Sequence, residues 1–249
     1  MKKKEQTTEI EIMRIRQGEV NLCIKGIAPL ILNAMSNKAK HELLMPKGRK
    51  TAADKAQNLK HNPIEEYRDS VYKTREKSAK TRIYVPATAF KGAIASAALD
   101  IPGAKKAQIG RLVYVEGDYV EIYGIPQLFM SVVRTADMNK TPDIRTRAIL
   151  PEWAAFVKIK YMVPAVSENA IVNLAAAAGA LIGVGDFRQE KGRGNYGRFE
   201  LAEKTDKDFA RIVKTGTKAA QDAALNNPDT YDDETARLYR WFNDELKKR

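Results

Sequence analysis

Gly183-Val184-Gly185-Asp186-Phe187-Arg188-Gln189-Glu190-Lys191-Gly192-Arg193-Gly194-Asn195-Tyr196-Gly197-Arg198-Phe199-Glu200-Leu201 is the stretch whose reading decides the fold. Five of these residues are glycines (Gly183, Gly185, Gly192, Gly194, Gly197), interleaved with four cations and with Phe187 and Tyr196. Glycine reaches positive φ and admits a partner close to the main chain. Amides, guanidinium groups and aromatic faces in one loop suit a phosphodiester backbone and its bases. Gly192-Arg193-Gly194-Asn195-Tyr196-Gly197 fits the G-x-G-x-x-G spacing, but a dinucleotide fingerprint follows a strand and opens a helix. Here the order is reversed: an apolar, helix-like run precedes the loop, and strand-like residues 198–201 follow it. No P-loop pattern occurs either, so no nucleotide cofactor is expected. The plain alternative is a long connection without a ligand.

Upstream of the loop, Ser167 caps a helix whose inward stripe is Ile171, Leu174, Ala175, Ala178, Leu181 and Ile182. Residues 153–163 alternate as a long strand, and 129–133 form a short one that runs into a polar loop at 134–147. Residues 111–115 and 119–123 flank Glu116-Gly117-Asp118 and predict a hairpin. Residues 89–99 predict a small-residue helix with Phe90, Ile94, Ala97 and Ala98 inward and Thr88 as its N-cap. Lys91 falls in its first turn, where free amides favour an anion over a cation. Residues 19–27 alternate as the first core strand, preceded by an edge strand at 8–16 and followed by a turn at 29–33 and a helix at 36–45 with Ala39, Leu43 and Leu44 on one side. From 46 to 81 the chain reads as a basic, partly mobile insertion that includes Lys47, Arg49 and Lys50, with a helical portion at 64–72. Beyond Glu203 it reads as helical. The segment 229–249 carries Ala236, Tyr239, Phe242 and Leu246 on one face, behind a capping-box-like Thr230-Tyr231-Asp232-Asp233.

The 249 residues carry a net charge of +12, which favours an acidic polymer as partner. The single cysteine, Cys23, excludes an intramolecular disulfide and a cysteine-cluster metal site, and it reads as a small core residue in a reducing compartment. No apolar segment follows the N-terminal lysines, and the most apolar run, 170–185, is too short to span a membrane. A cytoplasmic protein without membrane contact is expected.

Without its insertions the order is strand, helix, two strands, strand, helix, strand. It predicts an α+β fold with a ferredoxin-like, RRM-like βαββαβ core, a basic insertion after the first core strand (36–82) and C-terminal helices. Residues 1–202 form the expected domain, and 203–249 a helical extension packed on it. In RNA-binding modules of this topology the sheet stacks bases on aromatics. The alternating aromatic run of that kind is missing here. Ile83-Tyr84-Val85-Pro86-Ala87-Thr88-Ala89-Phe90-Lys91-Gly92-Ala93-Ile94 resembles the start of the first helix in RAMP-superfamily proteins, the ferredoxin-fold subunits of CRISPR effector complexes. Gly-Arg-Gly-Asn-Tyr-Gly-Arg-Phe at 192–199 is similar to the glycine-rich loop of that family, and it lies between the same two elements. Pro86-Ala87-Thr88-Ala89 departs from the family's Pro-Gly-Ser-Ser, which removes a glycine from the helix start. The chain also resembles small bacteriophage-encoded proteins with the same motifs.

The resemblance implies a homo-oligomer or filament that coats single-stranded nucleic acid. On the matching positions, Lys91 would meet a phosphate. Arg188, Lys191, Arg193 and Arg198 would line the strand with Tyr196 stacking or packing, and Arg134, Arg145 and Arg147 would sit on a protruding hairpin. Some members of the family cleave RNA with a histidine or an aspartate. The histidines are His41 and His61, both in or beside the insertion, and the sequence names no group to orient either. Asp137 with Asp143, Asp186 with Glu190, and Glu65 with Glu66 and Asp69 lie among cations that would pair them without a metal. The reading is a non-catalytic binder of RNA or DNA. A metal-independent endoribonuclease and a phage protein that mimics or binds a CRISPR subunit are its rivals.

Overall fold

The computed structural model describes residues 14–45, 61–134, 139–191 and 194–248. Strand β1 (Arg16–Gly26) leads through β2 (Leu30–Ile31) to helices α1 (Asn37–Leu44) and α2 (Pro63–Asp69). There follow β3 (Tyr84–Pro86), α3 (Ala87–Ala97), α4 (Lys106–Leu112), β4 (Val113–Val115) and β5 (Tyr119–Tyr123). Next come β6 (Gln127–Arg134), β7 (Pro142–Leu150), β8 (Ala154–Val163), α5 (Glu168–Ala177) and β9 (Phe199–Ala202). Helices α6 (Lys207–Thr215), α7 (Lys218–Asn226) and α8 (Asp233–Lys248) complete it.

The main sheet is antiparallel, in the order β3-β5-β8-β1-β9, with β4 also paired to β8. Set aside the added edge strand β3, and β9-β1-β8-β5 are the fourth, first, third and second strands of a βαββαβ unit whose helices are α3 and α5. This is the α+β, ferredoxin-like arrangement. Its register follows from alternation along β8. Ala155, Val157, Ile159 and Tyr161 are buried against the helix side, whereas Phe156, Lys158 and Lys160 turn the other way. Phe90 of α3, Phe199 of β9 and Trp153 interlock at the centre, with ring centroids 6.0 and 6.2 Å apart. A Cβ at Gly179 would overlap the Phe199 backbone, so this glycine lets the end of α5 approach β9.

A second, three-stranded sheet has the order β2-β7-β6. Part of β6, and the side of β7 beyond the two-residue β2, find partners outside the sheet. Along β6, Leu128 donates to Asp229 O, Tyr231 donates back to Leu128 O, and Met130 donates to Thr235 Oγ1. Along β7, the Ala148 N–H donates to Ser70 Oγ at 2.8 Å, at the end of α2.

The predicted hairpin at 111–123 is one interrupted strand instead. Val113, Tyr114 and Val115 pair with Tyr161, Lys160 and Ile159, and Ile122 and Tyr123 pair with Ala155 and Ala154. Both segments run the same way along β8, and the residues between them bulge out around Gly117 at φ 82. Residues 111 and 112 belong to α4. An acidic Gly turn signals an excursion as well as a reversal, and only the distant partner strand tells them apart. Of the polar loop expected at 134–147, residues 142–147 belong to strand β7, which pairs with β6 from Gln127↔Ile149 to Arg134↔Pro142.

Other boundaries shift for local reasons. Pro86, not Thr88, holds the N-cap of α3, and no side chain caps it. Ser36 and Ser167 do cap, accepting from the Ala39 and Ala170 amides. The end of α5 widens into a π-helical turn (Ala178–Ile182), which leaves Leu181 exposed. The cap of α8 is Asp232, which accepts from the Thr235 amide at 2.8 Å, rather than a box built on Thr230. No residue of α1 is buried, and Leu43 and Leu44 are exposed. The described part of the insertion is anchored rather than mobile. Tyr67 of α2 is fully buried, its hydroxyl 3.2 and 3.1 Å from the carbonyl oxygens of Pro126 and Ala224. The edge strand expected at 8–16 lies mostly outside the described residues.

Candidate nucleic-acid interface

Residues 183–198 fold back on themselves as a narrow finger. Val184 donates to Gly197 O at 2.9 Å, and Arg188 bridges Tyr196 further out. The base is stitched to β2, with Asp186 donating to Ile31 O and Gly197 to Pro29 O, at 2.9 and 2.7 Å. Gly185 and Gly197 sit at φ 82 and 69. A Cβ at Gly197 would overlap the Val184 carbonyl, and one at Gly185 would meet Leu30 and the Ile31 carbonyl. These two glycines therefore serve backbone contact inside the protein, not the approach of a ligand.

Phe187 is 50% exposed on this finger and holds φ 49, a region that bulky residues rarely adopt. Tyr196 packs behind it at 6.1 Å between centroids, and Phe129 of β6 lies 6.4 Å from Tyr196. Burial, then Tyr231 and Asp232, push the Tyr196 phenol above its ordinary value. Tyr196 is thus a packing residue, and Phe187 is the accessible ring. Nothing in the sequence distinguished the two, because which ring faces out depends on the twist of the finger.

The cations divide among several situations. Arg188 pairs with Glu190 at 2.6 Å and donates to Gly185 O at 3.1 Å. Arg147, opposite Phe129 on the hairpin, pairs with Asp186. Burial and then Arg145 push the Arg147 guanidinium down to about 10, which still leaves it charged at neutral pH. Arg198 is half-buried, and its Nε is enclosed with no hydrogen-bond partner among the described residues. Arg134 and Arg145 are exposed on the hairpin. Because α3 starts at Ala87, Lys91 is its fifth residue, past the free first-turn amides beside which the sequence placed it; it is half-buried and next to Gly92, where a Cβ would meet only open space. Arg193, Lys47, Arg49, Lys50 and the side chain of Lys191 lie outside the described residues. The fold thus gathers Arg147, Arg188 and Tyr196 around Asp186 and Phe129. Among the described residues no hydrogen bond or ion pair links Lys91 to that group.

The sheet face opposite α3 and α5 is not an open platform. Phe209 and Ile212 of α6 cover Cys23, Tyr123 and Ala154 at one end. Towards the other end the charges satisfy one another: Lys158 pairs with Glu19 and Glu116, and Lys160 with Glu116, at 2.7–3.0 Å.

A cleft of about 700 Å³ opens between α1, α2 and β7. His61 lines it, with Nδ1 2.8 Å from Glu66 Oε1 and Nε2 3.0 Å from Asp143 Oδ1. The sequence paired Glu66 and Asp143 with other neighbours, since one precedes the β6–β7 hairpin and the other lies within it. Thr146 also lines the cleft, and its buried Oγ1 has no partner among the described residues. Lys38, Arg145 and Arg147 face Glu65, Glu66, Asp69 and Asp143 across it, so its charges nearly balance. No group of three or more His, Cys, Asp or Glu side chains among the described residues is placed to hold a metal ion.

No family model and no curated protein matches the sequence. The chain is similar, at a TM-score of 0.35 and 15% identity, to a chain in a cryo-EM structure of the type III-B Cmr-beta bound to cognate target RNA. The match covers 75% of this chain and 59% of that one, so this chain spans about three fifths of its length. No helix among the described residues is long and apolar enough to cross a membrane.

Proposed function

We propose that the protein is a non-catalytic, RAMP-like binder of single-stranded nucleic acid that assembles along the strand, with residues 1–202 as the binding domain and 203–249 as its helical extension. One observation carries the reading: Phe187, half-exposed and held at φ 49, stands on a cation-bearing finger backed by Tyr196. Backbone conformations of this cost persist where the surrounding structure enforces them, and they cluster at ligand contacts. An outward ring beside guanidinium groups offers base stacking without sequence preference. Arg188, Arg198, Lys191 and Arg193 supply the phosphate contacts in this reading, with Lys91, Arg134 and Arg145 as outlying cations.

Size-exclusion chromatography with light scattering tests it, with and without a single strand of about thirty nucleotides, as RNA and as DNA. Growth into multiples of the protomer mass on one of the strands is the expected result. An unchanged particle with both strands overturns the reading. Phe187→Ala should weaken binding about tenfold by loss of one stacked base, with Tyr231→Ala, behind the finger, as a control that leaves affinity within twofold.

The endoribonuclease reading draws on His61, which the fold places in a cleft between two carboxylates. Both ring nitrogens are engaged there, however, and a general base needs one of them free to reach the hydroxyl proton. In this reading His61→Ala binds RNA but no longer cuts it. RNA left intact by the unaltered protein removes the reading.

A further inference from the structure

We infer that a second nucleic-acid contact lies away from the finger, in the cationic cleft between α1, α2, the 72–75 segment and α7, where Lys73 and Arg75 take phosphates and Tyr72 takes a base. This inference rests on the single-strand reading above. The cleft measures about 690 Å³ and is lined by five cations (Lys40, Arg68, Lys73, Arg75 and Arg82) against two carboxylates, Asp69 and Asp222. Two of the five have structural work within the protein. Arg82 makes a two-point pair with Asp222 at 2.6 and 2.9 Å, and Arg68 donates to the Leu225 and Asn226 carbonyls at the end of α7. Asp222 is thereby consumed. Lys73 and Arg75 are exposed and make no ion pair among the described residues.

The surplus is felt at Lys73. Partial desolvation of this largely exposed side chain pushes its ammonium below the ordinary lysine value; Asp69 opposes that, and Arg68 and Arg82 add to it. A site that strains a cation in this way gains when an anion enters it. The nearer cleft around His61 has no such surplus, which argues for this cleft over that one. The anion would be a strand rather than a free ion, because an aromatic wall stands beside the cations. Tyr72 and Tyr84 line the cleft, with centroids 5.7 Å apart, and Tyr119 continues the row 4.7 Å beyond Tyr84. Cations tracking a backbone, with rings that accept base faces, form a single-strand binding groove. The sequence does not show this site as one patch, because its lining runs from α1 to α7, and the Arg82–Asp222 pair together with the Arg68 and Gln221 bonds brings the distant pieces together.

The test compares the full-length protein with Lys73→Glu/Arg75→Glu and with a charge-matched control, Lys105→Glu/Lys106→Glu, on exposed residues at the start of α4. Fluorescence anisotropy with a labelled single strand is read across a salt series. The cleft variant should bind at least tenfold more weakly and lower the slope of log K against log salt by about 1.4, two lost single-strand phosphate contacts. The control should stay within about threefold and keep its slope. Equal losses in both variants, or none in the cleft variant, overturn the inference while leaving the single-strand reading standing. A Tyr72→Ala variant with intact circular dichroism and undiminished affinity overturns the base contact. If the unaltered protein binds neither RNA nor DNA, the single-strand reading fails and this inference falls with it.

Discussion

Gln221 shows how much one polar side chain can organise. It is fully buried in α7, its Oε1 accepts from the Arg82 and Ile83 amides at 2.7 and 3.0 Å, and its Nε2 lies 2.8–3.2 Å from three backbone carbonyls, of Ile122, Gly124 and Gly216. It thus joins α7 to β3, β5 and the end of α6. Replacing both ends of such a network by carbon leaves several backbone groups buried without partners, at about 1–3 kcal/mol each. Gln221→Leu should therefore lower unfolding stability by about 3 kcal/mol or more, read as a fall in the urea midpoint; a loss under 1 kcal/mol would mean that water replaces those bonds. Nothing in the sequence marks this glutamine, since its partners come from three separate segments. Phe187 and Tyr196 were visible as a pair of aromatics in a glycine-rich loop, but which one faces solvent was not.

At the scale of elements, α6 decides what the sheet can do. Its apolar edge, Phe209 and Ile212, closes over Cys23 and Tyr123, and Phe209 meets Phe156 edge-on at 5.1 Å. The sequence beyond Glu203 was legible as helical, but not α6 as the lid of the sheet face. Phe209→Ala should cost about 3–5 kcal/mol, as large-to-small core changes do. It should also open Cys23, which is 7% exposed and whose thiol burial holds above its ordinary value, to thiol reagents. Unchanged labelling kinetics in a folded variant would show that α6 does not seal that end. The interrupted strand β4–β5 carries the same lesson: period-2 alternation found both halves, the first two residues too long, and only pairing to β8 showed that they share one line.

Across the whole molecule, charged links add to the neutral and apolar ones that join the sheets to the C-terminal helices. The Arg82–Asp222 pair is one of them. The hydrogen bonds from Arg82 hold the Asp222 carboxyl below its ordinary value. A carboxylate depressed in the folded state stabilises it above the unfolded value of 3.8, and that contribution is lost as pH falls through the lower folded value. Asp222→Asn should therefore lower the urea midpoint at pH 7, and its gap to the unaltered protein should close as pH drops below 3.8. A gap that survives in stronger acid would assign the loss to packing instead of to the ion pair. The charge of +12 belongs to this scale as well, since it sets the long-range attraction to a polyanion whichever cleft makes the contacts.

By itself the sequence determined the order of the core elements, the alternation along the core strands, and the Ser167 cap. Each of these depends on residues within a few positions of one another, where periodicity and capping act. It also determined that the loop at 183–198 is rich in glycine, cations and aromatics, which is composition alone. The tertiary structure decided what those glycines are for: a Cβ at Gly197 or Gly185 meets main chain from Val184 or Ile31, a contact that exists only once β2 lies against the finger. It likewise decided that His61 stands between Glu66 and Asp143, and that Lys40, Arg82 and Asp222 share a cleft with Tyr72 and Lys73. Charges and rings from separate segments meet only when the chain between them is folded, because a local pattern carries no information about which distant segment will pack on it.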